Sequence, residues 1–257
     1  MAVQFQPSFI LHEKFEKLTF SRYESQSSVD SMSCPSTPST PTSPIDYEIQ
    51  FATEEDKEPI RNFLQTFFYR DEPLNSYLKL ITEEKPRCID LENFSLKEIN
   101  NGINLKAVYN GKIIGVSLNG ILEKGWINKP DTFKCKDEKF NIILGLLDHV
   151  AKDSDPFKKF PDCDKAMTVK ILSVDGTYRG KGIAKELMAK TREIAKEHGC
   201  GFMTVDCTSH FTACALKKLG FDLHYSLKYS DYKVNGEVVL KPASPHVAVT
   251  VYTQKID

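Results

Sequence analysis

The segment spanning residues 172–184 constrains the fold more than any other stretch of the chain. It opens on an apolar, β-branched run, passes a turn signal at Asp175-Gly176 and continues into a helical pattern, which predicts a strand, a loop and a helix in succession. The first N–H groups of such a helix have no partner and carry positive partial charge, so the junction binds anions. Gly180 and Gly182 allow a phosphate to approach the backbone closely, and Arg179 adds a charged fork for its oxygens.

The loop of this segment reads Arg179-Gly180-Lys181-Gly182-Ile183-Ala184. It resembles the acyl-coenzyme A binding loop of the GCN5-related N-acetyltransferases (the GNAT family), which has the form Arg/Gln-x-x-Gly-x-Gly/Ala. It is neither a Walker loop nor a dinucleotide fingerprint, because it lacks Gly-Lys-Ser/Thr and a third glycine. A Gly-x-Gly at a helix start also suits a plain tight turn, so the flanking elements decide. The resemblance implies acetyl-CoA as co-substrate, contacted by Leu172, Ser173, Val174, Arg179, Gly180, Lys181, Gly182, Ile183 and Ala184.

A second strand and helix follow at the separation expected for that family. The apolar run at 202–207 predicts a strand, and residues 213–221 predict a short helix that ends in Leu-Gly-Phe. The resemblance therefore implies an α/β (α+β) fold of the GNAT type, with a mixed, mostly antiparallel central sheet flanked by helices. The strands before Asp175 and after Gly201 are expected to run parallel and to splay, which admits the coenzyme.

Other elements are predicted from local patterns. Thr53 and the acids after it form an N-cap and first turn, and the helix they begin is predicted to end near Tyr69-Arg70. Asn110-Gly111 between two β-branched runs predicts a hairpin with a two-residue turn. The polar stretch 123–139 predicts a loop, and the apolar spacing at 140–150 predicts an amphipathic helix.

Composition divides the chain into a tail and a domain. With 257 residues, 40% of them hydrophobic, the chain has enough apolar surface for one substantial core. Residues 1–46 are rich in Ser, Thr and Pro and are predicted to be disordered, and 47–257 are predicted to form the domain. Three Ser/Thr-Pro pairs in the tail, Thr37-Pro38, Thr40-Pro41 and Ser43-Pro44, fit either an inert spacer or regulatory phosphorylation.

Charge and cysteine usage exclude several classes of function. A net charge of −1 predicts no nucleic-acid or anionic-membrane partner, and no apolar run has the length of a membrane span or a signal core. Seven cysteines without a Cys-x-x-Cys pair predict neither a disulfide framework nor a metal site. We expect a monomeric protein of the reducing cytoplasm.

Glu72 is the candidate base. It follows the predicted end of the first helix, where a carboxylate would meet the negative end of the helix dipole, and Pro73 forces it out of the helical region. The aromatic run at 67–69 precedes it. This pattern fits an acidic loop residue without a catalytic role and a carboxylate placed for proton transfer equally well.

A narrower resemblance favours proton transfer. The segments 67–75, 171–174, 207–212 and 231–246 are similar to those of the insect arylalkylamine N-acetyltransferases, and the similarity runs from about Tyr47 to the C-terminus. It implies that Glu72 is the general base. Two serines of that family assist at the thioester, and they fall on Thr208 and Thr212, which keep the hydroxyl but add a methyl group. The expected substrates are amines of the dopamine, tyramine, serotonin and octopamine class, with cuticle sclerotisation, melatonin-type N-acetylation or amine inactivation as the process.

The chemistry expected is direct attack by the amine on acetyl-CoA in a ternary complex, with Cys207 as a buried thiol rather than an acetyl carrier. Two histidines, His210 and His246, are the alternative proton acceptors; each is predicted to be isolated and to serve as a structural hydrogen-bonding group, so they rank behind Glu72. A protein or peptide N-acetyltransferase and a non-catalytic acyl-CoA sensor remain as alternatives on the same fold.

Overall fold

A seven-stranded mixed sheet organises the molecule, which is described here from a computed structural model covering residues 45–128 and 133–257. The strand order is β1-β2-β3-β4-β5-β9-β6, and β7 pairs with β8 in a separate small hairpin. The strands are β1 Glu48–Phe51, β2 Leu105–Tyr109, β3 Lys112–Glu123, β4 Lys165–Val174, β5 Phe202–Cys207, β6 Asp222–Lys228, β7 Lys233–Val234, β8 Glu237–Val238 and β9 Ala248–Lys255. The predicted Ser/Thr/Pro tail falls almost wholly on residues 1–44, outside the described part of the chain, so its disorder stays a prediction and the alternatives of inert spacer and regulatory phosphorylation stay open.

Helices cover both faces of the sheet. They are α1 Lys57–Phe67, α2 Pro73–Leu78, α3 Ile89–Leu96, α4 Glu138–Ser154, α5 Ile183–Glu197 and α6 His210–Lys218. Apolar residues of α1, α3 and α4 pack with Val116, Val249 and Val251 in one core, while those of α5 and α6 pack with Val205 and Cys207 in a second core on the opposite face. No helix among the described residues is long and apolar enough to cross a membrane.

The sheet opens between β4 and β5. These two strands are parallel, as predicted, and their register runs from Ala166↔Phe202 to Thr168↔Thr204. Both strands continue well past that point, to Val174 and Cys207, but within the described chain no further residue of β5 pairs with β4. All other strand pairs in the sheet are antiparallel. The predicted fold, a mostly antiparallel sheet with one splayed parallel pair, is therefore confirmed.

Local predictions hold with shifted boundaries. The hairpin turns at Asn110 (φ 49°) and Gly111 (φ 72°), as the Asn-Gly signal requires. Thr53 and Asp56 do form a capping box, but it closes a 3-10 turn, and α1 begins only at Lys57. The helix ends at Phe67 rather than near residue 70. The residues released at that end leave room for a second helix, α2, which local periodicity did not predict.

Candidate active site

The loop between β4 and α5 forms a shallow depression at the open end of the sheet. A 3-10 turn, Gly176–Tyr178, follows β4, and Gly182 caps α5 with a φ of 87°. Gly180 also has a positive φ, 78°. The depression is lined by Val174, Tyr178, Arg179, Gly180, Gly182, Ile183, Ala184 and Lys185.

Backbone conformation, not crowding, requires glycine at both positions. A Cβ built on Gly180 or Gly182 meets no protein atom within 4 Å, yet the left-handed φ disfavours any L side chain. The space in front of the loop is open, and the first N–H groups of the fifteen-residue α5 point toward it. Arg179 is held at the rim, where its Nε lies 3.4 Å from the carbonyl oxygen of Val174. The geometry suits a phosphate bound through backbone N–H groups and one guanidinium.

The three β4 residues that were predicted to contact the coenzyme lie on two different faces of the sheet. Leu172 and Val174 pack against the core beneath α5, and Ser173 is buried on the other side, where its hydroxyl donates to the carbonyl oxygen of Phe67 at 3.2 Å. Ser173 therefore fastens β4 to the end of α1. What these residues offer a ligand in the splay is their backbone, because β5 leaves that edge of β4 unpaired beyond Thr168.

Glu72 lies at the start of a helix, which corrects the sequence prediction. It is the N-cap of α2, with φ −64° and ψ 129°, and Pro73 is the first helical residue. Its Oε2 accepts a hydrogen bond from the backbone N–H of Asn75 at 2.7 Å. The carboxylate therefore meets the positive end of a helix and not the negative end of α1. The extended conformation that Pro73 was predicted to impose is present.

The second oxygen of Glu72 is left free. Oε1 is buried and accepts no hydrogen bond from any described residue. Burial raises the pKa of Glu72 above its usual value, while the N–H of Asn75, the hydroxyl of Thr208 and the N–H of Leu74 act in the opposite direction. A carboxyl with a raised pKa and one uncommitted oxygen is suited to take a proton from a neighbouring group.

Thr208 belongs to the same cluster, together with a residue that sequence reasoning missed. The missed residue is Tyr229, which is buried just after β6. Its hydroxyl donates a 2.8 Å hydrogen bond to the carbonyl oxygen of Thr208. Burial raises the pKa of Tyr229, and the nearby Glu72 and Cys207 raise it further. Tyr229 therefore lies close to both the candidate base and the end of β5. The sequence signal was weak: a tyrosine beyond a strand end gives no sign of which carbonyl its hydroxyl will reach.

Thr212 and Cys207 contribute differently. Thr212 lies in the first turn of α6, half-buried, and the structure shows no hydrogen bond between its side chain and another described residue. Cys207 is 1% exposed, and burial, with Asp206 close by, raises the pKa of its thiol. A thiol that stays protonated is a poor nucleophile.

The two histidines are neighbours, contrary to the prediction that they are isolated. The backbone N–H of His210 donates to Nδ1 of His246 at 3.2 Å, and the ring of Phe211 lies 5.5 Å from that of His246. Burial lowers the pKa of His246, and His210 lowers it further. His246 is therefore neutral at physiological pH and able to accept a proton, which makes it the second candidate base.

Comparison with known proteins agrees with the sequence motifs. The model of the acetyltransferase (GNAT) family matches residues 66–221. A structure of arylalkylamine N-acetyltransferase 2 from Aedes aegypti is 31% identical, with a TM-score of 0.73 over 82% of this chain and 100% of that one. A mosquito arylalkylamine N-acetyltransferase like 5b is 25% identical (TM-score 0.69), with coverage of 82% and 100%. A Drosophila melanogaster polyamine N-acetyltransferase that forms N-acetylagmatine shares the fold at 24% identity (TM-score 0.71) with the same coverage.

Proposed function

Because the chain belongs to the GNAT family of acetyltransferases, we propose that it transfers the acetyl group of acetyl-CoA to the primary amine of arylalkylamines such as dopamine, tyramine, serotonin and octopamine. The observation that carries the proposal is the carboxyl of Glu72, buried, with a raised pKa and one oxygen free of hydrogen bonds. The likeness to the Aedes aegypti arylalkylamine enzyme supports the substrate class.

The reaction needs such a base. A primary alkylamine has a pKa of about 10.4, so at neutral pH only about one molecule in a thousand is the free nucleophile. That deficit adds about 4 kcal/mol to the barrier unless a group of the enzyme removes the proton. Glu72 accepts this proton directly or through ordered water, and the amine nitrogen then forms its bond to the acetyl carbon.

Acetyl-CoA is placed by the opposite side of the cleft. Backbone N–H groups at 180–184 and Arg179 bind the diphosphate, and the unpaired edge of β4 before Val174 offers an N–H to the thioester oxygen. The nitrogen then gives up its second proton and the C–S bond breaks; that proton reaches the leaving thiolate through a hydroxyl, which passes it on and ends the step unchanged. Thr208 is the first candidate for this hydroxyl, because it also acts on Glu72, and Thr212 is the second candidate.

Direct attack in a ternary complex fits Cys207 better than a covalent intermediate does. An acetyl-cysteine would require a thiolate, and burial holds the thiol of Cys207 in its protonated form. Initial-rate kinetics are therefore expected to show intersecting lines. Parallel lines and an isolable acetyl-enzyme would contradict this mechanism.

Coenzyme A release measures the function. The purified chain is mixed with acetyl-CoA and, in parallel reactions, with dopamine, tyramine, serotonin, agmatine or a lysine-containing peptide. We expect the aromatic amines to give the highest kcat/KM, because the half-buried Phe67 and Phe68 precede Glu72 closely in the chain and leave part of their aromatic surface accessible. Acetylation of only the peptide or only agmatine would overturn the substrate class, and release with none of them would favour an acyl-CoA sensor.

A further inference from the structure

Asp206 is an exposed acid in the interior of the sheet. It lies on β5, the fifth strand of seven, and is paired with Val251 on β9. Its neighbours on the same face are closed off from solvent: Thr204 is 3% exposed and Val251 is 1% exposed. An exposed side chain at this position means that the layer of helices covering this face has a gap directly above Asp206.

The gap is on the side of Glu72. Val205 and Cys207 face the core beneath α5 and α6, so Asp206, between them, faces the layer that contains α1, α4 and Tyr229. Tyr229 in turn reaches Thr208, whose hydroxyl acts on Glu72. Asp206 precedes Thr208 by two residues along an extended strand, which is about 6.6 Å. A second carboxylate therefore lies on the same face as Thr208, two residues before the side chain that acts on the base.

No residue in the described part of the chain neutralises this carboxylate. Asp206 lies beyond Thr204, on the part of β5 that has left β4, and no ion pair or hydrogen bond joins its side chain to a described residue. Surrounding protein atoms raise the pKa of Asp206 to about 6 by desolvation. An open but walled cleft explains how the side chain is both exposed and partly desolvated. At neutral pH the group is still largely ionised, and it lacks a donor.

We propose that Asp206 recognises the end of the acceptor that is opposite its reacting amine, by accepting a hydrogen bond from a donor located there. This inference rests on the proposed function and adds the feature that selects among amines. A carboxylate without a partner in a partly dehydrated cleft is unfavourable, and a donor from the substrate relieves that cost. The chemistry is met by a phenolic hydroxyl, as in tyramine, or by a second cation, as in a diamine.

Paired substrates test the proposal. Tyramine differs from 2-phenylethylamine only by the para-hydroxyl, and 1,4-diaminobutane differs from butylamine only by the second amine. We expect the wild-type chain to favour the donor-bearing member of at least one pair by about 10- to 100-fold in kcat/KM, the range of a hydrogen bond to a charged group. Preference in the first pair identifies a hydroxyl and preference in the second identifies a cation.

Variants of Asp206 then test whether this residue causes the preference for the donor-bearing amine. Asp206→Ala is expected to reduce the preference to near unity, while kcat/KM for the member without the donor stays within about threefold, since the base is untouched. Asp206→Asn keeps the size of the side chain and serves if the alanine variant fails to fold. Asp222→Ala, which removes an exposed acid at the start of β6, is the matched control and should leave both ratios unchanged.

The outcomes separate this proposal from the proposed function. If the wild type acetylates both members of each pair equally, or keeps its preference in the Asp206 variants, the role of Asp206 is wrong and the amine acetyltransferase stands. If the wild type acetylates none of the four amines while it binds acetyl-CoA, both proposals fall.

Discussion

The two sides of the cleft are built by opposite means. The proposed coenzyme side is one continuous segment, 174–185, which would bind through backbone N–H groups held by two glycines in left-handed conformations. The proposed acceptor side is assembled from Glu72, Thr208 and Tyr229, which lie far apart in the sequence; Tyr229 donates to the carbonyl oxygen of Thr208, whose hydroxyl acts on Glu72. The first side is set by local backbone geometry and stays open, whereas the second is set by packing and is largely dehydrated. Substitutions on the two sides should therefore change different kinetic and stability parameters.

Removing the base should give the largest effect. Glu72→Gln keeps the size of the side chain and an oxygen that can accept from the N–H of Asn75, but it cannot take a proton. We expect kcat/KM to fall by about 10²- to 10⁴-fold, the usual contribution of general base catalysis, and its pH profile to flatten near neutrality. The measurement is steady-state acetylation of tyramine between pH 6 and pH 9.

The neighbouring carboxylate provides the control for that experiment. Asp71→Asn changes an exposed acid one residue away and should leave the rate within about twofold. If Glu72→Gln retains the wild-type pH profile, the base is another group, and His246→Gln, which removes the second candidate acceptor, should then carry the loss.

On the coenzyme side the effect should be smaller and confined to one substrate. Gly182→Ala places a Cβ on a residue with φ 87°, which forces the loop to change conformation. We expect the KM for acetyl-CoA to rise by about 10-fold, while the KM for the amine changes little, because Glu72 is on the other side of the cleft. Initial rates measured over a matrix of both substrates separate the two constants.

Gly199→Ala is the matched control for this substitution. It has the same kind of strain, with φ 71° and no atom within 4 Å of a new Cβ, but it lies at the far end of α5. It should lower the melting temperature about as much as Gly182→Ala and leave the KM for acetyl-CoA unchanged. A similar rise in both variants would mean that the loop acts only through stability.

The same contrast explains what the sequence predicted. The coenzyme loop was readable because a turn, two glycines and a helix start are neighbours in the chain, and the structure places them around one depression. Glu72 was proposed as the base by resemblance, and that role stays a prediction; its position at the start of α2 was not predicted, since Pro73 fits a loop corner and a first helical turn equally well. Tyr229 and the contact between His210 and His246 depend on how β6 and the chain before β9 pack against α6, which no local pattern contains. Asp206 is visible in the sequence as an acid inside an apolar strand, but the strand pattern alone does not tell which face of the sheet is left uncovered by helices.

A smaller effect on rate and stability is expected when the hydrogen bond from Tyr229 to Thr208 is removed. Tyr229→Phe removes only the hydroxyl that donates to the carbonyl oxygen of Thr208, and leaves the ring in the core. A buried hydrogen bond of this kind contributes about 1 kcal/mol, so the melting temperature should fall by about 2–4 °C. The rate should fall by a few-fold because Thr208 is no longer fixed beside Glu72. Tyr225→Phe, which removes a hydroxyl bonded to Asp153 at the surface, should change neither; equal losses in both variants would contradict the positioning role.

The last prediction concerns stability alone and isolates the dehydration of the acceptor side. Burial raises the pKa of Glu72 in the folded chain above its unfolded value, so folding favours the protonated form. Its contribution to stability is therefore complete below the ordinary glutamate pKa of about 4.5 and is lost as the pH rises through the folded value. Above the ordinary value folding must either bury the charged carboxylate or bind a proton, a cost that Glu72→Gln lacks, so the inactive variant should melt at the higher temperature at neutral pH, and the difference should close as the pH falls toward 4. A difference in melting temperature that does not change with pH, measured by scanning calorimetry of the two proteins, would mean that Glu72 is hydrated like any surface acid, and the contrast between the two sides of the cleft would lose its physical basis.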